Sequence, residues 1–203
     1  METDGRRTRG FIAQALIRAL RGEAEAGAGW LADVDPSAWI EQGQCLRLAA
    51  AAHERLCAGD WARFHELGSA SLQELLELGY RTIVRVGDPE ATFAALSVLW
   101  RASFSYGRAI ADTDAWGVTI HVIDCAGVSE LEGNLHAGWC LGVARLVGAD
   151  CASMELRRRP WADASDEQVV RLHWRGRSPK RRPSMTPSTK HDSTISKLAR
   201  AVG

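Results

Sequence analysis

Trp116–Asp124 (WGVTIHVID) is the stretch whose reading decides the fold class. Val118, Ile120 and Val122 alternate with Thr119, His121 and Ile123, the period of a strand with two unlike faces. The first face is expected to be core. The second, with His121 at its middle, lines a pocket or forms an exposed sheet surface. Asp112-Thr-Asp-Ala in front of it has turn chemistry, and Arg108–Asp112 before the turn is a second, half-polar strand candidate.

Downstream, Ser129 with Glu132 three places on has capping-box spacing. The helix it starts runs through Leu131, Leu135, Trp139, Val143 and Val147 to Gly148. Gly138 and Gly142 lie inside it, each costing about 1 kcal/mol against alanine, so another backbone is expected to pack closely there. Cys151–Arg159 is a further strand candidate. Gln168–Trp174 (QVVRLHW) is a clear one, with Val170, Leu172 and Trp174 on one face.

Upstream the chain reads as helices. They span 8–21 with Thr8 as cap, 44–58, and 61–78 with a break or kink at Gly68–Ser71. Residues 80–86 read as helix continuation. Asp88-Pro89-Glu90 starts a helix that carries Phe93, Leu96, Leu99, Trp100 and Phe104 to Tyr106 and stops at Gly107. The reading is an α+β domain over residues 1–174, helical over 1–87 and α-β-β-α-β-β over 88–174, followed by a basic disordered tail, 175–203.

Charge supports that division. The net charge of zero splits into −7 over residues 1–174 and +7 over 175–203, and all three lysines (Lys180, Lys190, Lys197) lie in the tail. The tail is rich in Pro, Arg and Ser and has almost nothing apolar before Ser193–Val202. That last segment is a short amphipathic helix candidate with Ile195, Leu198 and Val202. The tail's expected contacts are an acidic partner, anionic lipid or nucleic acid. No apolar run is long enough for a membrane span, and the charged N-terminus lacks signal-peptide character, so a cytoplasmic protein is expected.

The residues from Asp88 onward carry a resemblance. They are GDPEATFAALSVLWRASFSYGR, WGVTIHVID, NLHAGWCLGVARLVGA and QVVRLHW. This order resembles the four-vinyl-reductase-like and haem-NO-binding-like superfamily of small sensor domains. It is similar, more closely, to a myxobacterial family of proteins of unknown function, of about 200 residues like this chain. In that family a helix with LW…Y…G leads into a β-meander, a helix with aGw…l…G follows, and a strand ending in Trp closes the domain. The resemblance covers most of residues 9–174. It implies a helical N-terminal half packed on an antiparallel sheet, with a small-molecule pocket between them. It carries over no activity. The haem-binding members use a proximal histidine and a Tyr-x-Ser-x-Arg motif. Tyr106-Gly107-Arg108 departs from that motif, so no haem and no other cofactor is expected.

Candidate chemistry is sparse. Five scattered cysteines (45, 57, 125, 140, 151) without a C-x-x-C pair argue against disulfides and a zinc ribbon. Three His-x-x-x-Cys pairs, His53/Cys57, His121/Cys125 and His136/Cys140, would bind a metal only where two pairs converge; otherwise their cysteines are small core residues. There is no nucleophile elbow, P-loop or dinucleotide fingerprint. Eight tryptophans are either packing or the lining of an aromatic pocket. Trp100, Phe104, Tyr106, Arg108, His121 and Trp139 are the candidate ligand-binding residues, with the rings as walls and Tyr106, Arg108 and His121 as polar contacts. The expected function is a non-enzymatic sensor or adaptor that binds a small apolar ligand or a partner protein. The alternatives are a homodimerising interaction module, through a sheet edge or the Gly138/Gly142 face, and a metal- or thiol-dependent enzyme.

Overall fold

The structure, a computed structural model, describes residues 5–23 and 34–175. The tail and its 193–202 helix candidate lie outside the described residues, as does most of the small-residue stretch after residue 22. Along the chain come β1 (Arg7–Arg9), α1 (Gly10–Glu23), β2 (Trp39–Glu41), α2 (Gln42–Arg55), α3 (Trp61–Ala70) and α4 (Leu72–Glu77). A 3-10 turn (Tyr80–Thr82), α5 (Pro89–Ala94) and α6 (Leu96–Ser103) follow. Then come β3 (Arg108–Asp114), β4 (Gly117–Ile123), α7 (Glu130–Leu146), β5 (Cys151–Arg158) and β6 (Gln168–Trp174). This is an α+β fold, with helices first and an antiparallel sheet after.

The sheet has the order β3-β4-β6-β5, so the WGVTIHVID strand lies in its interior. β4 pairs with β3 across the tight turn and with β6 on its other side, Ile120 opposite Val170 and Val118 opposite Leu172. Alternation then sorts the faces. Val118, Ile120 and Val122 are fully buried, while Thr119, His121 and Ile123 are half-buried on the outer face.

α7 is the centre of the molecule. Ser129 Oγ accepts the Glu132 N–H at 3.3 Å and fixes where the helix starts. From Glu132 to Ala144 every residue is buried, so the helix has no solvent stripe. On one side it packs on α2, α3 and α4; on the other it packs on β5 and β6. The glycines make this possible. A Cβ on Gly138 would lie 2.9 Å from the His65 carbonyl oxygen, and one on Gly142 would lie 2.8 Å from that of Ser69. Both oxygens belong to α3, the close backbone that two interior glycines imply. That face is therefore covered from within the chain, and a dimer contact through it is ruled out.

Local chemistry revises several boundaries. Thr8 does not cap α1: it sits in β1, pairs with Ile40, bridges Phe104, and gives its hydroxyl to the Gln42 side chain. α1 starts at Gly10, where a Cβ would meet Asp35 O at 2.0 Å. The 61–78 segment breaks at Ser71, whose Oγ donates to Gly68 O at 2.7 Å. Residues 80–86 do not continue the helix: Tyr80–Thr82 form a 3-10 turn and the rest is irregular. Asp88 caps α5 by accepting the Ala91 N–H at 3.0 Å, but the helix is interrupted at Ala95 and ends at Ser103. Phe104 is extended there to reach Thr8. Gly107, at φ +62°, then turns the chain into β3. No helix among the described residues is long and apolar enough to cross a membrane.

Candidate functional site

Four of the expected ligand-binding residues meet at one point. The rings of Trp100, Phe104 and Tyr106 pack around His136, with Trp100 and Phe104 centroids 5.0 and 4.9 Å from the imidazole, and Trp139 packs edge-on against Trp100 and Phe104. The cap at Ser129 explains why: it places Glu132 and His136, one turn apart, on the same face of α7. Trp100 Nε1 donates to Tyr106 O at 2.9 Å and holds the connector that presents the phenol. The Tyr106 hydroxyl lies 2.9 Å from His136 Nε2, and His136 Nδ1 lies 3.2 Å from Gln168 Oε1. Because Gln168 Nε2 donates to Gly133 O at 2.7 Å, its Oε1 faces the imidazole as an acceptor. The consistent reading is a neutral His136, with its proton on Nδ1 and Nε2 accepting from Tyr106. Burial holds its pKa below the usual histidine value, and burial with the nearby Glu132 carboxylate pushes the Tyr106 phenol up.

Glu132 is 1% exposed and extends this network into the N-terminal half, through Gln42 Nε2 at 3.3 Å and Arg6 Nη1 at 3.8 Å. The cluster is filled. Trp100, Phe104, Trp139 and His136 are at most 1% exposed, so no water-sized space adjoins them. Chemically it is a satisfied polar joint between the two halves of the fold.

Arg108 and His121 lie elsewhere. Arg108 is exposed, 3.8 Å from Asp124. His121 is on the outer sheet face with Nδ1 2.7 Å from Glu167, which also binds Arg158. The His/Cys pairs do not converge: among the described residues no three of His, Cys, Asp and Glu are grouped to hold a metal ion. The thiols are poor nucleophiles, since burial pushes Cys45 and Cys140 up to about 12 and Cys125 and Cys151 up to about 11.

Among the described residues, a space large enough for a ligand lies on the surface. A groove of about 560 Å³ runs between α3, α7 and β5. Trp61, His65 and Glu66 line one wall; Met154, Leu156 and Trp161 line the other; Asn134 and Leu141 of α7 form the floor. Trp161 sits over Gly133, where a Cβ would fall within the indole. His65 Nε2 is 2.7 Å from Asn134 Oδ1. At the far end Arg145 holds Glu66, Nη2 to Oε1 2.6 Å, and Ser69 Oγ at 2.8 Å.

Solved structures share the fold. An oxygen-binding H-NOX domain related to soluble guanylate cyclases, in its oxygen complex, superposes with a TM-score of 0.54 at 16% identity, over 83% of this chain and 96% of that one. The chain has the H-NOX fold. An H-NOX structure solved to probe haem distortion gives 0.53 at 15% identity, over 83% and 96% of the two chains. A T. tengcongensis H-NOX variant gives 0.50 at 14%, over 82% and 94%. No protein-family model matches the sequence, and no curated protein matches it either.

A haem does not suit the interior of this H-NOX fold. It needs an axial ligand facing a flat void. Among the described residues His136 is the one fully buried histidine, and both its nitrogens are engaged beside rings that leave no space. The residues that sequence reasoning missed are those of the groove and the joint. Trp61 and Trp161 are one hundred positions apart, and only the fold brings them to one groove. Glu132 and His136 carried a signal, since the Ser129 cap fixes both on one face of α7.

Proposed function

We propose that this protein is a non-enzymatic cytoplasmic sensor or adaptor domain whose ligand, a small and largely apolar molecule, binds in the groove between α3, α7 and β5. The observation that carries this reading is the groove itself, with an aromatic wall from each half of the fold, Trp61 from the helical half and Trp161 from the sheet half. Two polar pairs in it are already made, His65 with Asn134 and Glu66 with Arg145, which suits binding rather than catalysis. The high thiol pKa values point the same way. Occupation would favour one packing of α3 on α7, and it acts as a signal only if the ligand binds two such packings differently.

Thermal shift against a metabolite panel tests this. A ligand at 100 times its Kd adds about 2.7 kcal/mol, which raises Tm by about 5–10 °C in a chain of this size. Trp161→Ala should abolish the shift. The groove reading fails if no compound stabilises the protein, or if stabilisation survives in the variant. A second reading, a homodimer through a sheet edge, has edge strand β3 in its favour: Ile110 is 48% exposed, and Trp116 on the adjoining turn is 77% exposed. A monomer by light scattering at high concentration excludes it.

A further inference from the structure

We propose that the chain's own C-terminal segment, Ser193–Val202, docks in the groove between α3, α7 and β5 and competes there with the ligand. This rests on the groove being the ligand site. The floor of the groove follows α7 from Glu130 to Arg145, about 22 Å at 1.5 Å per residue. Leu141, Met154 and Leu156 add apolar lining to that of the two tryptophans. In the sequence Ser193–Val202, Ile195, Leu198 and Val202 are spaced i, i+3 and i+7, the spacing of one helical face, and ten residues at 1.5 Å each would span about 15 Å, within that length.

The chain leaves the domain at the right place. Trp174 pairs with Cys151, which lines the groove, and the Arg175 N–H donates to Asp150 O at 2.6 Å. The seventeen residues from 176 to 192 span up to about 55 Å extended, so the segment reaches any part of the groove. The charges inside the groove balance, Glu66 and Glu130 against Arg145 and Arg159. The attraction is therefore that of the whole domain: residues 1–174 carry −7 and 175–203 carry +7. Tethering then makes docking intramolecular, with an effective concentration set by the linker.

Cys151 is the reporter, because it lines the groove and is half-exposed while the other four cysteines are buried. Its maleimide labelling rate is measured in the full chain, without ligand, and in the full chain carrying Ile195→Asp and Leu198→Asp. Both substitutions lie in the tail, beyond the residues that form the core described above. Cys151→Ser identifies the signal. The expected result is labelling several-fold slower in the parent than in the variant, with high salt moving the parent towards the variant. Equal rates overturn the proposal. So does protection that grows with protein concentration, which would place the tail in the groove of a second copy. Since no ligand is present, slow labelling with no ligand ever found would count against the ligand reading alone, and equal rates with a ligand found would count against docking alone.

Discussion

Gly138→Ala sets two effects of known size against each other. In a helix interior alanine gains about 1 kcal/mol over glycine. Here the added Cβ would lie 2.9 Å from His65 O and 3.2 Å from the Cα atoms of His65 and Gly68. These are backbone atoms of α3 and cannot rotate away. Ordinary contact starts at 3.4 Å, so α3 must withdraw by about half an ångström, along a face where Gly142 is just as tight against Ser69. Overpacking of this kind costs about 1–3 kcal/mol, and a shift along the whole α3–α7 contact belongs to the upper half of that range. The net expectation is a loss of about 1–2 kcal/mol, a fall in Tm of about 2–8 °C. Gly22→Ala is the control. It lies in α1 with nothing within 4 Å of its Cβ, and it should hold or raise Tm by the propensity gain alone. Calorimetry on both variants decides. If Gly138→Ala melts at or above the parent, α3 does not pack on α7 as described, and the groove bounded by those helices loses its basis.

Tyr106→Phe removes the hydroxyl from His136 Nε2 and leaves a buried acceptor unpaired; urea unfolding should show a loss of about 1–3 kcal/mol. The buried His136 has its folded pKa below 6.5, so its contribution to stability is present above that value and declines as pH falls through it, when the unfolded chain takes up the proton first. The slope is at most about 1.4 kcal/mol per pH unit for one proton, and His65, lowered by burial in the same direction, adds to it. A stability profile from pH 7 to 5 that is flat, or that matches His136→Gln, would contradict the assignment of a neutral buried imidazole. Gly133→Ala drives the Trp161 ring off its seat; the half-buried indole can swing, so stability should change by under about 1 kcal/mol while tryptophan emission shifts.

The parts of the fold legible in the sequence are those set by local chemistry. β4 and β6 alternate cleanly, Ser129 and Asp88 cap by side-chain bonds that reach three residues, and the interior glycines of α7 announce a close neighbour without naming it. The β1–β2 pair was not legible, because three-residue strands have no periodicity and their pairing, Thr8 with Ile40 and Phe104, is wholly long-range. The candidate site divides along the same line. Trp100, Phe104 and Trp139 fall on periodic apolar faces and do meet. Arg108 and His121 were expected as polar contacts to the same pocket, but Arg108 is exposed beside Asp124 and His121 lies half-buried on the outer face of the sheet.

Packing also explains why the groove, and not the space between helices and sheet, is the place to look for a ligand. Gly68, Gly138 and Gly142 let α3 approach α7 until backbone meets backbone, which closes one side of the interior. Trp100, Trp139 and Phe104 fill the other side down to zero or 1% exposure. Opening that space would require truncating a buried indole, at about 3–5 kcal/mol each, and would strand His136 and Glu132 among apolar atoms. The groove asks for neither, since its tryptophans are only partly buried and His65 and Glu66 already have polar partners. A ligand there covers apolar surface that water now wets, on a site that spans both halves of the fold.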